Sequence, residues 1–183
     1  MKSTILFLTA VLITGCFSQR TAEGLAEGEL STSASLGQAA VRYGITNNVE
    51  VRMSYVDFDL RQPVRSVDLF IHSHSDDNII NYGISGGPIL SQNVKTEYFY
   101  GVTVSKSIFE FIAPYATYVG TTNTESKYGY GPSRNYLSIG SEISISLNTS
   151  LKINLYPEIV YFRTNLFNPT YGSLNLGFVF GLY

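Results

Sequence analysis

One cysteine, two histidines, no tryptophan and few charges set the first limits on this 183-residue chain. A lone thiol excludes an intrachain disulfide framework and any zinc site built on several cysteines. Charged residues make up 14%, against roughly 25% in ordinary soluble domains. A formal net charge of -2 gives no support for a basic nucleic-acid-binding surface, so no nucleic-acid partner is expected. No apolar run approaches the roughly 20 residues that a membrane-spanning helix needs. What is plentiful is 14 Tyr, 11 Phe and 16 Gly, a mixture suited to β-structure between water and an apolar phase.

The first residues read as a processed leader. Lys2 supplies positive charge, Ile5 to Ile13 form a short apolar stretch, and Ile13-Thr14-Gly15-Cys16 places small residues before the only cysteine. This stretch resembles a bacterial lipoprotein signal peptide. The resemblance implies that Cys16 is lipidated and becomes the new N-terminus, with acyl groups such as palmitate. Ile13 stands where Leu is commoner in that box. Phe17, not Asp, follows the cysteine, which by the same resemblance does not signal inner-membrane retention. The expected organisation is a signal peptide over 1–15, a lipidated Cys16 with a polar linker to residue 28, and one β-domain over 29–183.

From Glu29 onward, apolar and polar residues alternate with the period of two that marks a half-buried strand. Val41, Tyr43 and Ile45 oppose Ala40 and Arg42; Val49, Val51, Met53 and Tyr55 oppose Glu50, Arg52 and Ser54. Val67, Leu69 and Ile71 oppose Ser66, Asp68, Phe70 and His72. Tyr98, Tyr100, Val102 and Val104 oppose Gly101, Thr103 and Ser105. The same reading places Phe109, Phe111, Ala113 and Tyr115 on one apolar face. It ends an earlier strand at Gly86-Gly87-Pro88 and makes Lys106-Ser107 a tight turn. Leu137, Ile139, Ile143 and Ile145 oppose Ser138, Gly140, Glu142 and Ser144; Leu151, Ile153, Leu155 and Ile159 oppose Lys152, Asn154, Tyr156 and Glu158. Leu174, Leu176, Phe178, Phe180 and Leu182 line one face of the last segment, with Asn175, Gly177 and Val179 on the other.

About ten such segments, with eight as the alternative, predict an all-β fold: a single antiparallel up-and-down β-barrel. The polar face decides its sense. It is dominated by Ser, Gly, Ala and Asn, small residues that suit the interior of a narrow barrel. Charges of both signs sit among them: Arg42, Glu50, Arg52, Asp68, Glu142, Lys152 and Glu158 form a candidate lumen network. On a lipid face an Arg or Lys would cost about 2 to 4 kcal/mol at mid-depth. The apolar face is therefore expected to point outward.

Three stretches resemble bacterial outer-membrane β-barrel proteins: the hairpin Val41 to Val51, the many Tyr and Phe at segment ends, and the aromatic closing strand. The resemblance implies an outer-membrane location, contact with its lipid, insertion by the outer-membrane assembly machinery, and external loops, chiefly Thr121 to Arg134 with Tyr128 and Tyr130, open to an unidentified partner. Two features depart from the family. Tyr183 is one step out of phase with Phe178, Phe180 and Leu182, and Pro157 interrupts an otherwise regular strand.

Chemistry-bearing residues are sparse. Asp68, His72 and His74 would share one strand face, a candidate metal pair with a carboxylate or a His–Asp base. The preferred reading is a polar strand end beside the turn Ser75 to Asn78, so no metal, cofactor or enzymatic activity is expected. Gly83-Ile84-Ser85-Gly86-Gly87 lacks the spacing of a hydrolase nucleophile motif. The expected function is a structural or surface-interaction role for a barrel with a filled polar lumen. The alternatives are a periplasmic lipocalin-like lipoprotein holding a lipophilic ligand, and a small pore.

Overall fold

The computed structural model describes residues 21–35, 38–56, 64–73, 80–91, 97–121, 135–163 and 170–181. The expected leader, Cys16, Leu36, Gly37, Phe58, Leu60, residues 61–63, His74, the expected turn at 75–78, the 122–134 and 164–169 connections, Leu182 and Tyr183 lie outside them. Ten strands follow in order: β1 (Glu29–Ser35), β2 (Gln38–Thr46), β3 (Val49–Val56), β4 (Val64–His72), β5 (Asn81–Ser91), β6 (Glu97–Ser105), β7 (Ile112–Thr121), β8 (Asn135–Asn148), β9 (Leu151–Arg163) and β10 (Thr170–Gly181). Each pairs antiparallel with its neighbours in sequence, and β1 closes on β10 from Glu29↔Gly181 to Ala34↔Leu176. The result is a closed up-and-down barrel of ten strands. No helix occurs among the described residues.

Alternation sorts the side chains as the pleat requires. Ser31, Ser33, Arg42, Glu50, Arg52, Asp68, Thr103, Thr117, Ser138, Asn154, Glu158 and Asn175 are buried in the lumen. Val41, Met53, Leu69, Ile84, Val102, Ile139, Ile159 and Leu176 are exposed on the outer face. The near end of the barrel is the one holding the start of β1 and the end of β10.

Three sequence expectations need correction. β5 does not stop at Gly86-Gly87-Pro88 but runs on to Ser91. The glycines let it pass close to β4: a Cβ on Gly87 would overlap the Val67 carbonyl oxygen. β7 has the opposite phase to the one expected. Ala113 and Tyr115 point into the lumen, whereas Tyr118 is exposed, because Tyr115 finds a carboxylate partner inside. Finally, Lys106-Ser107 is not a tight turn. The 106–111 connection carries an isolated Phe109↔Ile112 bridge before β7 begins.

The prolines are accommodated by openings in the ladder. The β8–β9 pairing skips from Gly140↔Glu158 to Ile143↔Leu155, and Pro157 stands in that interval. The β4–β5 pairing skips from Ser66↔Ile89 to Leu69↔Gly86, and Pro88 stands there. Pro114 lies just past the last β6 pair, Ser105↔Tyr115. A residue without an N–H is tolerated where the ladder makes no demand for one.

Candidate functional site

The lumen is built in three layers. At the far end, Phe99, Val119, Tyr136 and Val160 form a buried apolar cluster, with Ile89 packed against it. These residues come from the far-end portions of β5 to β9. Phe70 fills space lower down, stacked on His72 at a centroid distance of 5.3 Å. Gly83 leaves room for it, since a Cβ there would overlap the Phe70 ring.

The middle layer is polar and closely paired. Arg42 donates from Nε to Glu50 Oε1 at 3.0 Å and from Nη2 to Glu50 Oε2 at 2.8 Å. Arg52 Nε donates to Asp68 Oδ2 at 2.7 Å. Both ion pairs are removed from water, with side chains at most 4% exposed. Glu158 Oε2 accepts from Ser138 Oγ at 2.6 Å and from Tyr115 OH at 3.1 Å. Glu142 Oε1 accepts from Ser144 Oγ at 2.9 Å and Asn154 Nδ2 at 3.0 Å. Hydroxyl pairs Ser54–Ser66 and Thr103–Thr117 stitch neighbouring strands. Such pairing offsets the desolvation that buried charge would otherwise cost.

The fold gives the sequence-derived charges these partners, with Arg42 also within electrostatic reach of Glu142. Arg42 joins Glu50, and Arg52 joins Asp68. Glu142 and Glu158 bind hydroxyl and amide donors from β7 to β9. Lys152 shares the lumen-side phase of β9 but sits at its near end, exposed and apart from these pairs. His72 is buried between Phe70 and the backbone of Gly24, and Asp68 is engaged by Arg52. Among the described residues, no three His, Cys, Asp or Glu side chains are grouped to hold a metal ion.

The third layer comes from the end of the stretch expected to be a polar linker. Residues 21–28 instead cross the near mouth of the barrel as a strap. Gly28 N–H donates to the Gly44 carbonyl at 3.0 Å, and Glu27 N–H to Asn47 Oδ1 at 3.1 Å. Leu25 N–H reaches Glu50 Oε2 at 3.1 Å. Glu23 Oε1 accepts from Asn81 Nδ2 at 3.2 Å and from Ser107 Oγ. Ala22 N–H donates to Ser105 Oγ at 2.9 Å, and the Thr21 side chain hydrogen-bonds Glu142. The strap therefore runs from β2 and β3, past β5, to β6 and β8. Thr21, Ala22 and Leu25 are buried by it.

Glycine makes this path possible. Gly24 and Gly28 have φ of 67° and 78°, a region that side chains other than glycine rarely occupy. On the barrel wall, Gly44 has no space for a Cβ because the Ala26 carbonyl oxygen presses on it. The available sequence signal is Glu23-Gly24-Leu25-Ala26-Glu27-Gly28: two Glu-Gly steps four residues apart around one large apolar side chain. Neither Glu-Gly step has a strand or helix period, so pattern reading passes over it.

No protein-family model matches the chain, and no curated protein or solved structure does. The geometry of the barrel is what bears on function.

Proposed function

We propose that this chain is a lipid-anchored outer-membrane β-barrel with a structural or surface-interaction role and a filled, non-conducting lumen. The observation that carries the reading is the sense of the barrel wall. Large apolar side chains are exposed all around it, including Met53 at 61% and Ile159 at 62%, while Arg52, Glu50 and Asp68 are buried inside. Water would penalise that outer face over most of the barrel; hydrocarbon favours it.

The aromatic residues support the same reading. Near the one end, Tyr43, Tyr82, Phe109, Phe111 and Phe180 are exposed; towards the other, Tyr55, Tyr98, Tyr100, Tyr118 and Tyr161 are. Two such belts flanking an aliphatic band match the two headgroup levels of a bilayer. The near end, with its two-residue turns at 47–48 and 149–150, is assigned to the periplasm, and the far end with the 122–134 connection to the exterior. Cys16, by its lipoprotein-type leader, supplies the anchor, and insertion would use the outer-membrane assembly machinery.

The polar lumen disfavours a calyx for a lipophilic ligand, which needs an apolar interior. The apolar cluster at one end and the strap at the other disfavour an open pore. Fractionation of cells expressing the full chain tests the proposal. The protein should stay in the membrane through carbonate and urea washes and migrate faster on gels before heating than after. Full release by carbonate would overturn it. Incorporation of labelled palmitate, lost in Cys16→Ser, tests the anchor separately.

A further inference from the structure

We propose that the acyl chains carried by Cys16 dock on this protein's own 106–111 connection, at Ile108, Phe109 and Phe111. The inference rests on the reading of Cys16 as lipidated and adds where the lipid goes. Three observations lead to it.

The first is where the strap ends. Its N-terminal residues are held by the β6–β8 wall: Thr21 on Glu142, Ala22 on Ser105, and Glu23 on Ser107 of the connection itself. Deeper in the lumen, Tyr115, Tyr156, Glu158 and Val160 are buried and fill the bore. The described chain therefore begins, at Thr21, in the near mouth, and the rim closest to it is the 106–111 connection.

The second is reach. Cys16 lies five residues before Thr21, and a fully extended chain covers about 3.3 to 3.6 Å per residue, or roughly 17 Å in all. That length carries the sulfur over the adjacent rim and little farther. A longer linker ending at Glu29 would have left the anchor free to wander; the strap removes that freedom.

The third is the connection itself. Ile108, Phe109 and Phe111 are exposed at 57%, 60% and 52%, although connections at this rim such as 47–48 and 149–150 are wholly polar. With Ser107 and Glu110 their side chains form one open surface along the connection. The Phe109 and Phe111 rings stack at 5.7 Å. The backbone beneath is fixed: Ile108 N–H donates to the Ile112 carbonyl at 3.0 Å, and Ser144 N–H to the Phe111 carbonyl at 2.9 Å. A preformed apolar surface within tether length of an acylated residue gains contact with the chains at little ordering cost.

Photo-crosslinking of the purified, full-length lipidated protein in phospholipid vesicles is the test. With benzoylphenylalanine placed at position 109, irradiation should join the connection to the N-terminal peptide bearing the Cys16 lipid; the same probe at position 98, on the far rim, should not. Crosslinks from position 109 to vesicle lipid only, with the lipid mass present on the N-terminal peptide, would overturn the docking and leave the lipoprotein reading intact. An N-terminal peptide without lipid mass would overturn both. A cycle of variants gives a second reading. Tryptic cleavage after Arg20 should speed up on the order of tenfold in Phe109→Ser/Phe111→Ser and equally in Cys16→Ser, with no further gain on combining them. Additive effects would overturn the docking, and heat-modifiable migration confirms that each variant is folded.

Discussion

Glu50 grips Arg42 with both carboxylate oxygens, at 3.0 and 2.8 Å. Its Oε2 also accepts the Leu25 N–H at 3.1 Å. One buried carboxylate thus joins the barrel wall to the strap that crosses its mouth. The ion pair and the strap are one unit.

Removing that carboxylate should be costly. Glu50→Ala leaves the Arg42 guanidinium buried without its main counter-charge, a loss of about 3 to 5 kcal/mol. Urea unfolding in detergent micelles, followed by gel migration, should show the shift. A loss below about 1 kcal/mol would mean that Arg42 has another adequate acceptor.

A wall substitution should expel the strap while leaving the barrel closed. Gly44→Val places side-chain atoms where the Ala26 carbonyl lies. A Glu-specific protease should then cut after Glu23 on the order of tenfold faster, corresponding to roughly 1.4 kcal/mol of lost strap stability. Unchanged cleavage would show that the strap can shift without leaving the mouth.

The outer face discriminates lipid from water. Met53 is exposed near the middle of β3. Met53→Arg should reduce folding stability in phospholipid vesicles by about 2 to 4 kcal/mol. On a water-facing surface the same change would stay within about 0.5 kcal/mol.

Ser138 and Tyr115 donate to the same oxygen of Glu158. Ser138→Ala and Tyr115→Phe should each cost about 1.5 to 3 kcal/mol, as bonds to a charged acceptor do. Their double variant should depart from additivity by about 0.5 to 3 kcal/mol, because each donor compensates for loss of the other. Strict additivity would show that the two donors act independently.

Much of this architecture is written in the alternation of single segments. The outward placement of Val41, Met53, Leu69 and Val102, and the burial of Arg42, Glu50, Arg52 and Asp68, follow from a period of two and the cost of charge on an apolar face. About ten strands and their up-and-down order follow from the same pattern, and β1 pairing with β10 settles the number at ten rather than eight. β7 shows where it fails: Ala113 and Tyr115 share the phase of Phe109 and Phe111, but those two lie on a connection before the strand begins. Phase cannot be carried across an irregular turn by counting.

Sequence by itself determined the class of fold and which face of most strands holds the charges. Tertiary structure alone decided which charges meet, where the ladder opens for Pro88 and Pro157, and that residues 21–28 close the mouth. Those depend on register between strands and on contacts between residues far apart in the chain, such as Ala22 with Ser105. A local pattern reports the side of the sheet on which a residue falls; strand register brings a neighbouring strand's partner within reach, as for Arg52 and Asp68, and the closed barrel brings the distant ones.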